Sequence, residues 1–217
     1  MKRRTLLVGP PGSGKGTHAK RISSRFKIPH VATGDMLRAE VAAATTLGLA
    51  VRDVMEGGDL VPDELVLEIV TTRLSQPDAS RGWLLDGFPR TIPQALALDD
   101  RMGSRGIDLV LTLEVPRAEI VGRISGRRSC SSGHVFHVDA DPPRREGFCD
   151  FDGETLFQRQ DDRPEVVLSR LEVYERETEP LLGHYRTSGR LVEVDGSGPP
   201  GEVYARVEAV FLDRTDG

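Results

Sequence analysis

The chain has 217 residues, a formal net charge of −5 and 38% hydrophobic residues, which suits one compact domain with a buried core. Charged residues make up 29% with both signs spread along the chain, which excludes the one-signed stripe of a nucleic-acid-binding arm. No apolar run is long enough to span a bilayer, glycine and proline cut short the apolar stretch after the basic opening "MKRR", and two cysteines are too few for a disulfide scaffold, so the expectation is a cytoplasmic protein without a membrane partner.

In chain order, "RTLLVG" (Arg4–Gly9) is a short apolar run stopped by glycine and reads as a buried strand. "KGTHAKRISSRF" (Lys15–Phe26) reads as a helix with Ala19, Ile22 and Phe26 on one face. Further strands are expected at "IPHVAT", "GWLLD" (Gly82–Asp86), "DLVLTLEV" (Asp108–Val115) and "RLVEVD" (Arg190–Asp195). Helical patterns cover Gly34–Ala44, Asp63–Leu74, Thr91–Met102, Arg117–Ser125, Pro164–Tyr185 and Gly201–Phe211. Strands alternating with helices predict an α/β fold with a parallel sheet flanked by helices, whose ligands sit at the carboxyl ends of the strands. The stretch from Arg127 to about Gln160 breaks the alternation with turn residues and short β-like pieces, and reads as a small inserted subdomain.

"GPPGSGKGT" (Gly9–Thr17) lies between the first strand and the first helix, the setting of a phosphate-binding loop. Inward-pointing backbone N–H groups form an anion nest, and the following helix adds its positive end. Gly12 and Gly14 let the backbone approach a ligand closely, and Lys15 brings a mobile full charge to the outer phosphates. The place after the lysine, which in most such loops gives a hydroxyl to magnesium, is Gly16. The metal must then be held mostly by phosphates and water, with Thr17 or a distant carboxylate such as Asp86 helping indirectly. A GTPase is a poor match, because its guanine-reading motif needs asparagine and the chain has none.

With "TGDMLR" (Thr33–Arg38), "LVPDELV" (Leu60–Val66), "LLDGFPRTIPQA" (Leu84–Ala95), "GRRS" (Gly126–Ser129) and "RLEVYERETEPL" (Arg170–Leu181) added to the loop, the whole chain resembles the long-lid adenylate kinases of bacteria. The resemblance implies a P-loop NTPase fold with a five-stranded parallel sheet. It divides the chain into a core (1–31, 62–125, 163–217), a helical monophosphate-binding arm (32–61) and a small β-rich lid (126–162). It implies that Gly12, Ser13, Gly14, Lys15, Gly16 and Thr17 wrap the phosphates of ATP, that Arg123 stacks on its adenine, and that Val135, Phe136 and Gly198 flank it. AMP would be held by Thr33, Arg38, Asp59, Leu60, Val61, Gly87, Phe88, Pro89, Arg90 and Gln94, with Gln94 reading the base. Arg127, Arg159 and Arg170 would close over the phosphates, and the catalytic set would be Lys15, Arg38, Arg90, Arg127, Arg159 and Arg170. Phosphoryl transfer needs such converging cations, since alignment and charge neutralisation are most of the catalysis. His30, His137 and His184 read as structural.

The same resemblance implies ATP, AMP and ADP as substrates, magnesium with ATP, and a monomer. The base pocket leaves open a kinase for UMP, CMP or GMP on this fold, and a non-catalytic nucleotide sensor is the rival from another class. The chain departs from the family at His18, where many relatives carry glutamine, at Asp59, a frequent lysine, and in the lid. Many long-lid relatives hold a structural zinc there. Cys130 and Cys149 keep the first and third ligand positions and Asp152 matches the aspartate form of the fourth, but the second cysteine is missing. His134 is the candidate replacement, giving a tetrahedral Cys-His-Cys-Asp set. The alternatives are a hydrogen-bonded lid without metal and two unpaired buried thiols.

Overall fold

The computed structural model describes residues 3–103 and 106–213; Met1 and Lys2 of the basic opening lie outside the described residues. Strands β1 (Arg3–Val8), β2 (His30–Ala32), β3 (Gly82–Asp86), β4 (Leu109–Glu114) and β7 (Leu191–Asp195) form one sheet in the order β2-β3-β1-β4-β7. Every pairing in it is parallel, with Leu6 of β1 opposite Leu85 on one side and Val110 on the other.

The sheet is buried on both faces, as near-continuous apolar strands require. Leu6, Val8, Trp83, Leu85 and Val110 pack into one core, closed by α4 (Asp63–Leu74), α5 (Ile92–Met102) and α8 (Pro180–Thr187). Their alternate neighbours Leu7, Leu84, Leu109 and Leu111 pack into a second core under α1 (Lys15–Phe26) and α9 (Pro200–Asp213). A third, smaller cluster joins α6 (Arg117–Ser125) to α7 (Pro164–Val173) through Ile120, Ile124, Val167 and Leu171.

Between β2 and α4 the chain forms α2 (Thr33–Ala42) and α3 (Thr46–Gly57). The pattern of apolar residues did not predict α3. Gly48 and the Thr45–Thr46 pair blur its start, yet the helix is well specified: Thr45 caps it by accepting from Gly48 N–H. Gly48 is there because a Cβ would fall 2.0 Å from Glu40 O, so only glycine lets α3 cross α2 at this point. The helix expected over Pro164–Tyr185 is also not uniform. A widened π turn over Tyr174–Thr178 separates α7 from α8, which starts at Pro180.

After α6 the chain enters the small β-rich piece. β5 (Arg127–Ser129) and β6 (Val135–His137) pair antiparallel, and single bridges join Ser129 to Phe157 and Phe148 to Thr155. Cys130, Phe136 and Cys149 form its small core. His137 ties it to α6: Nε2 lies 3.3 Å from Gly122 O, while Nδ1 accepts from the N–H groups of Asp139 and Ala140. No helix among the described residues is long and apolar enough to cross a membrane.

Candidate active site

The loop after β1 ends at Gly14, which caps α1 in the left-handed conformation at φ 93° with no side chain bonding the helix N-terminus. The first N–H groups of α1 are therefore left for a ligand. Gly12 is at φ 77°, and a Cβ there would fall 2.5 Å from Ile124 Cγ1, so the loop packs against α6 as closely as its backbone allows. Lys15 Nζ donates to the carbonyls of Gly9 and Pro10, both at 2.7 Å, and lies 3.3 Å from Ser13 Oγ. Burial, with Arg90, Arg170 and Arg127 nearby, pulls the Lys15 ammonium down to about 8 against the opposing pull of Asp86.

Asp86 ends β3 at the carboxyl edge of the sheet. Its Oδ2 lies 3.4 Å from His30 Nε2, and its carbonyl accepts from Thr33 Oγ1 at 3.1 Å. Burial works against its charge, but His30 and Lys15 outweigh it and hold the carboxyl below the usual range. Gly87 follows at φ 86°, where a Cβ would meet Thr33 Oγ1 at 2.7 Å, so the chain turns from β3 into the cleft only with glycine.

The six cations singled out in the sequence come from six separate stretches and converge. Lys15 feels Arg90, Arg170 and Arg127; Arg90 feels Arg170 and Arg38; Arg159 feels Arg38 and Arg127. Burial and these like charges bring Arg90 and Arg159 down to about 10 each, and Arg170 is lowered too. Arg127 goes the other way. Burial lowers it, but a two-pronged bond to the buried Asp162 overrides that.

Four carboxylates hold these cations, and three of them were not singled out by sequence reasoning. Asp161 pairs with Arg170 at 2.9 Å and stands 3.9 Å from Arg38. Asp162 pairs with Arg127 and lies 3.5 Å from Arg170. Asp35 bonds Arg38 at 2.6 Å and reaches Arg159 at 4.0 Å. Asp86 serves Lys15. The "QDD" run (Gln160–Asp162) carried no periodic pattern, only its place beside an arginine-rich segment.

Thr33, Arg38, Asp59, Leu60, Val61, Gly87, Phe88, Arg90, Gln94 and Arg170 line one cleft between α2, α3 and the end of β3, where apolar and polar side chains converge as in a small-molecule site. Pro89 stands between the lining residues Phe88 and Arg90 and follows a cis Phe88–Pro89 bond. Arg90 Nε donates to Gly87 O at 2.8 Å. Gly58 brings the chain onto Arg170: a Cβ there would fall 2.7 Å from Arg170 Cγ.

On the other side of the loop, Arg123 donates to Glu119 at 2.9 Å and to Gly196 O at 3.0 Å, close to the turn at Gly198, which has φ 94°. Gly16 and Thr17 open α1 behind Lys15. Val135 is partly exposed, whereas Phe136 is buried in the lid beside the two cysteines.

Cys130, His134, Cys149 and Asp152 come together, all four ligand atoms lying within 4.8 Å of one another. Cys130 Sγ is 3.3 Å from both His134 Nδ1 and Asp152 Oδ2, His134 Nδ1 is 3.0 Å from Asp152 Oδ2, and Cys149 Sγ is 3.4 Å from His134 Nδ1. A tetrahedral zinc with bonds of about 2.0–2.3 Å sets its ligands about 3.3–3.8 Å apart, so the quartet fits that ion with little movement. The Phe151 ring stacks on His134 at 4.6 Å and shields one side.

The adenylate kinase family model matches residues 7–190 of the chain. The chain is 49% identical over 207 residues to an adenylate kinase of Streptomyces avermitilis, which covers 94% of both chains. It is 48% identical over 206 residues to an adenylate kinase of Carboxydothermus hydrogenoformans, covering 94% of this chain and 96% of the relative. An adenylate kinase of Methanosarcina barkeri is 46% identical over 208 residues, with 95% of this chain and 97% of the relative covered. With the loop, the cleft and the converging cations in one sheet-edge site, these matches show that the chain belongs to the adenylate kinase family.

Proposed function

We infer that the protein catalyses reversible transfer of the terminal phosphoryl group of ATP to AMP, giving two ADP. The observation that carries this reading is the convergence of Lys15, Arg38, Arg90, Arg127, Arg159 and Arg170 between the loop and the cleft. Six converging cations outnumber the four carboxylates that hold them, and that excess of positive charge suits a strongly anionic ligand. Two nucleotides placed with their phosphates in line are such a ligand.

In this reading Gly12 to Thr17 cradle the phosphates of ATP, and Arg123, Val135, Phe136 and Gly198 bound its nucleoside. Arg38 and Arg90 hold the AMP phosphate, and Thr33, Asp59 to Val61, Gly87 to Pro89 and Gln94 enclose its nucleoside. Lys15, Arg127, Arg159 and Arg170 surround the group in flight and neutralise the charge that spreads over it. Magnesium bound to ATP would supply charge screening of its phosphates. Asp86, beside Gly16, would be the carboxylate nearest that ion, and with no hydroxyl at Gly16 most of its ligands would be phosphate and water oxygens. The segments 32–61 and 126–162 act as an arm and a lid over a core, and their closing excludes water and prevents hydrolysis of ATP. Contacts across the cleft support this: Lys20 of α1 donates to Gly133 O, and Arg159 faces Asp35. We read the enzyme as a cytoplasmic monomer without nucleic-acid or membrane partners, on its acidic, evenly mixed charge.

The lid quartet is read as a structural zinc site that fixes the lid away from the reacting phosphates. About one equivalent of zinc in purified protein, lost in Cys149→Ser, is expected; far less than one equivalent overturns it. The reaction itself is tested by ADP formation from magnesium-ATP with AMP, UMP, CMP or GMP. Rapid ADP formation with AMP is expected. Folded protein that binds ATP but reacts with none of them would be a sensor.

A further inference from the structure

Gln94 is 3% exposed, and both ends of its amide are already engaged. Its Oε1 accepts the backbone N–H of Arg90 at 2.7 Å, and its Nε2 donates to Asp63 Oδ1 at 2.6 Å. Its own N–H bonds the Thr91 hydroxyl that caps α5, so the backbone is held as well. Asp63 opens α4 and Gln94 lies in the first turn of α5, so the pair is fixed by two helix starts rather than by a loop.

A primary amide has two hydrogens and two lone pairs. Here one of each is used, and their direction is forced. The Arg90 N–H can only donate, and the Asp63 carboxylate oxygen accepts. Turning the amide over would set N–H against N–H at Arg90 and oxygen against oxygen at Asp63. What remains for a ligand in the cleft is one hydrogen on Nε2 beside one lone pair on Oε1, in a fixed order.

We propose that Asp63 is a specificity-determining residue: by fixing the polarity of the Gln94 amide it selects a base that shows a ring nitrogen acceptor next to an amino donor, and rejects a base that shows ring N–H next to a carbonyl. Adenine has the first edge. Hypoxanthine, nearly identical in shape, has the second, as do guanine and uracil. Asp63 touches no substrate; it acts through Gln94, and this rests on the reading of Gln94 as the base contact. Discrimination of this kind is strong because the wrong base leaves buried polar groups facing their own kind.

The test compares kcat/KM for AMP and for IMP at saturating magnesium-ATP in wild type, Asp63→Asn, Asp63→Ala and Gln94→Ala. Asparagine keeps the shape but can donate, so it removes one of the two barriers to turning the amide over. The preference for AMP over IMP should fall about tenfold or more in Asp63→Asn, through loss with AMP and gain with IMP, with KM for ATP unchanged. Asp63→Ala should lose activity with AMP and gain less with IMP, because alanine offers no donor. A merely structural Asp63 would lower both substrates alike, so a preference within twofold of wild type in Asp63→Asn overturns the proposal. If Gln94→Ala has weakened AMP binding, the fault lies with the Asp63 inference alone. If Gln94→Ala leaves the KM for AMP unchanged, the reading of Gln94 falls, and the inference with it.

Discussion

Asp86 Oδ2 lies 3.6 Å from the point where a side chain on Gly16 would begin. The carboxylate thus borders the space that a hydroxyl fills in loops with serine or threonine after the lysine. It is also the negative charge that Lys15 feels most. Asp86→Asn should therefore lower kcat by about a hundredfold through lost alignment of the charged phosphates. It should also move the alkaline limb of the pH profile to lower pH, because Lys15 then gives up its proton more readily. A profile that keeps its limb would separate Asp86 from Lys15.

Lys15 itself sets that limb. Its ammonium is pulled down to about 8, so the free enzyme loses this charge as pH rises through that value. The kcat/KM for ATP reports the free enzyme and should fall about tenfold per pH unit above it. Lys15→Arg, slower at every pH because a planar fork replaces a point charge, should lack the limb. Initial rates between pH 6.5 and 9.5 would check both.

Asp162 is fully buried and holds Arg127 with two bonds while standing 3.5 Å from Arg170. Removing it in Asp162→Ala leaves a cation without its partner, a loss of about 3 kcal/mol. Thermal unfolding should drop by about 6–12 °C at neutral pH. Asp53→Ala, at an exposed pair with Arg52, serves as the control and should change little.

His18 is buried under the loop, and burial, helped by Arg21 and Arg123, pushes its imidazole down to about 4. Its folded value thus lies below its unfolded value of about 6.5. The unfolded chain binds the extra proton first as pH falls, so stability is intact above about 6.5 and declines toward 4. The decline from this residue is on the order of 2 kcal/mol after allowance for solvent. His18→Gln, which cannot titrate, should show a shallower fall in melting temperature over that window.

Much of the fold was legible because the strands and the glycine loop have local causes. β3 was read at its observed limits, and α1 likewise, since an apolar run or a 3.6-residue stripe is enough to specify each. α3 was missed because its reason is tertiary: Gly48 looks like a breaker until Glu40 O is seen behind it. The site divides in the same way. The cations stood out as residue types that phosphate chemistry needs. Their partners Asp35, Asp161 and Asp162, and the amide lock at Asp63, depend on directions that only the folded backbone supplies. The lid quartet belongs with the legible part: the two cysteines, Asp152 and His134 as stand-in for the missing cysteine were all named from the sequence, and the fold brings their ligand atoms together.

The wide turn at Tyr174–Thr178 joins two helical halves that seat in different cores. Before it, Val167 and Leu171 seat on Ile120 and Ile124; after it, Leu181 and Tyr185 seat in the other core beside Trp83. Arg170 rides on the first half, so its aim at the phosphates depends on the extra residue that the π turn accommodates. The segment is therefore intolerant of length change in a way that the surrounding turns are not. Deleting one residue there would restore regular winding and swing one apolar pair off its seat, and with it the aim of a guanidinium several residues upstream.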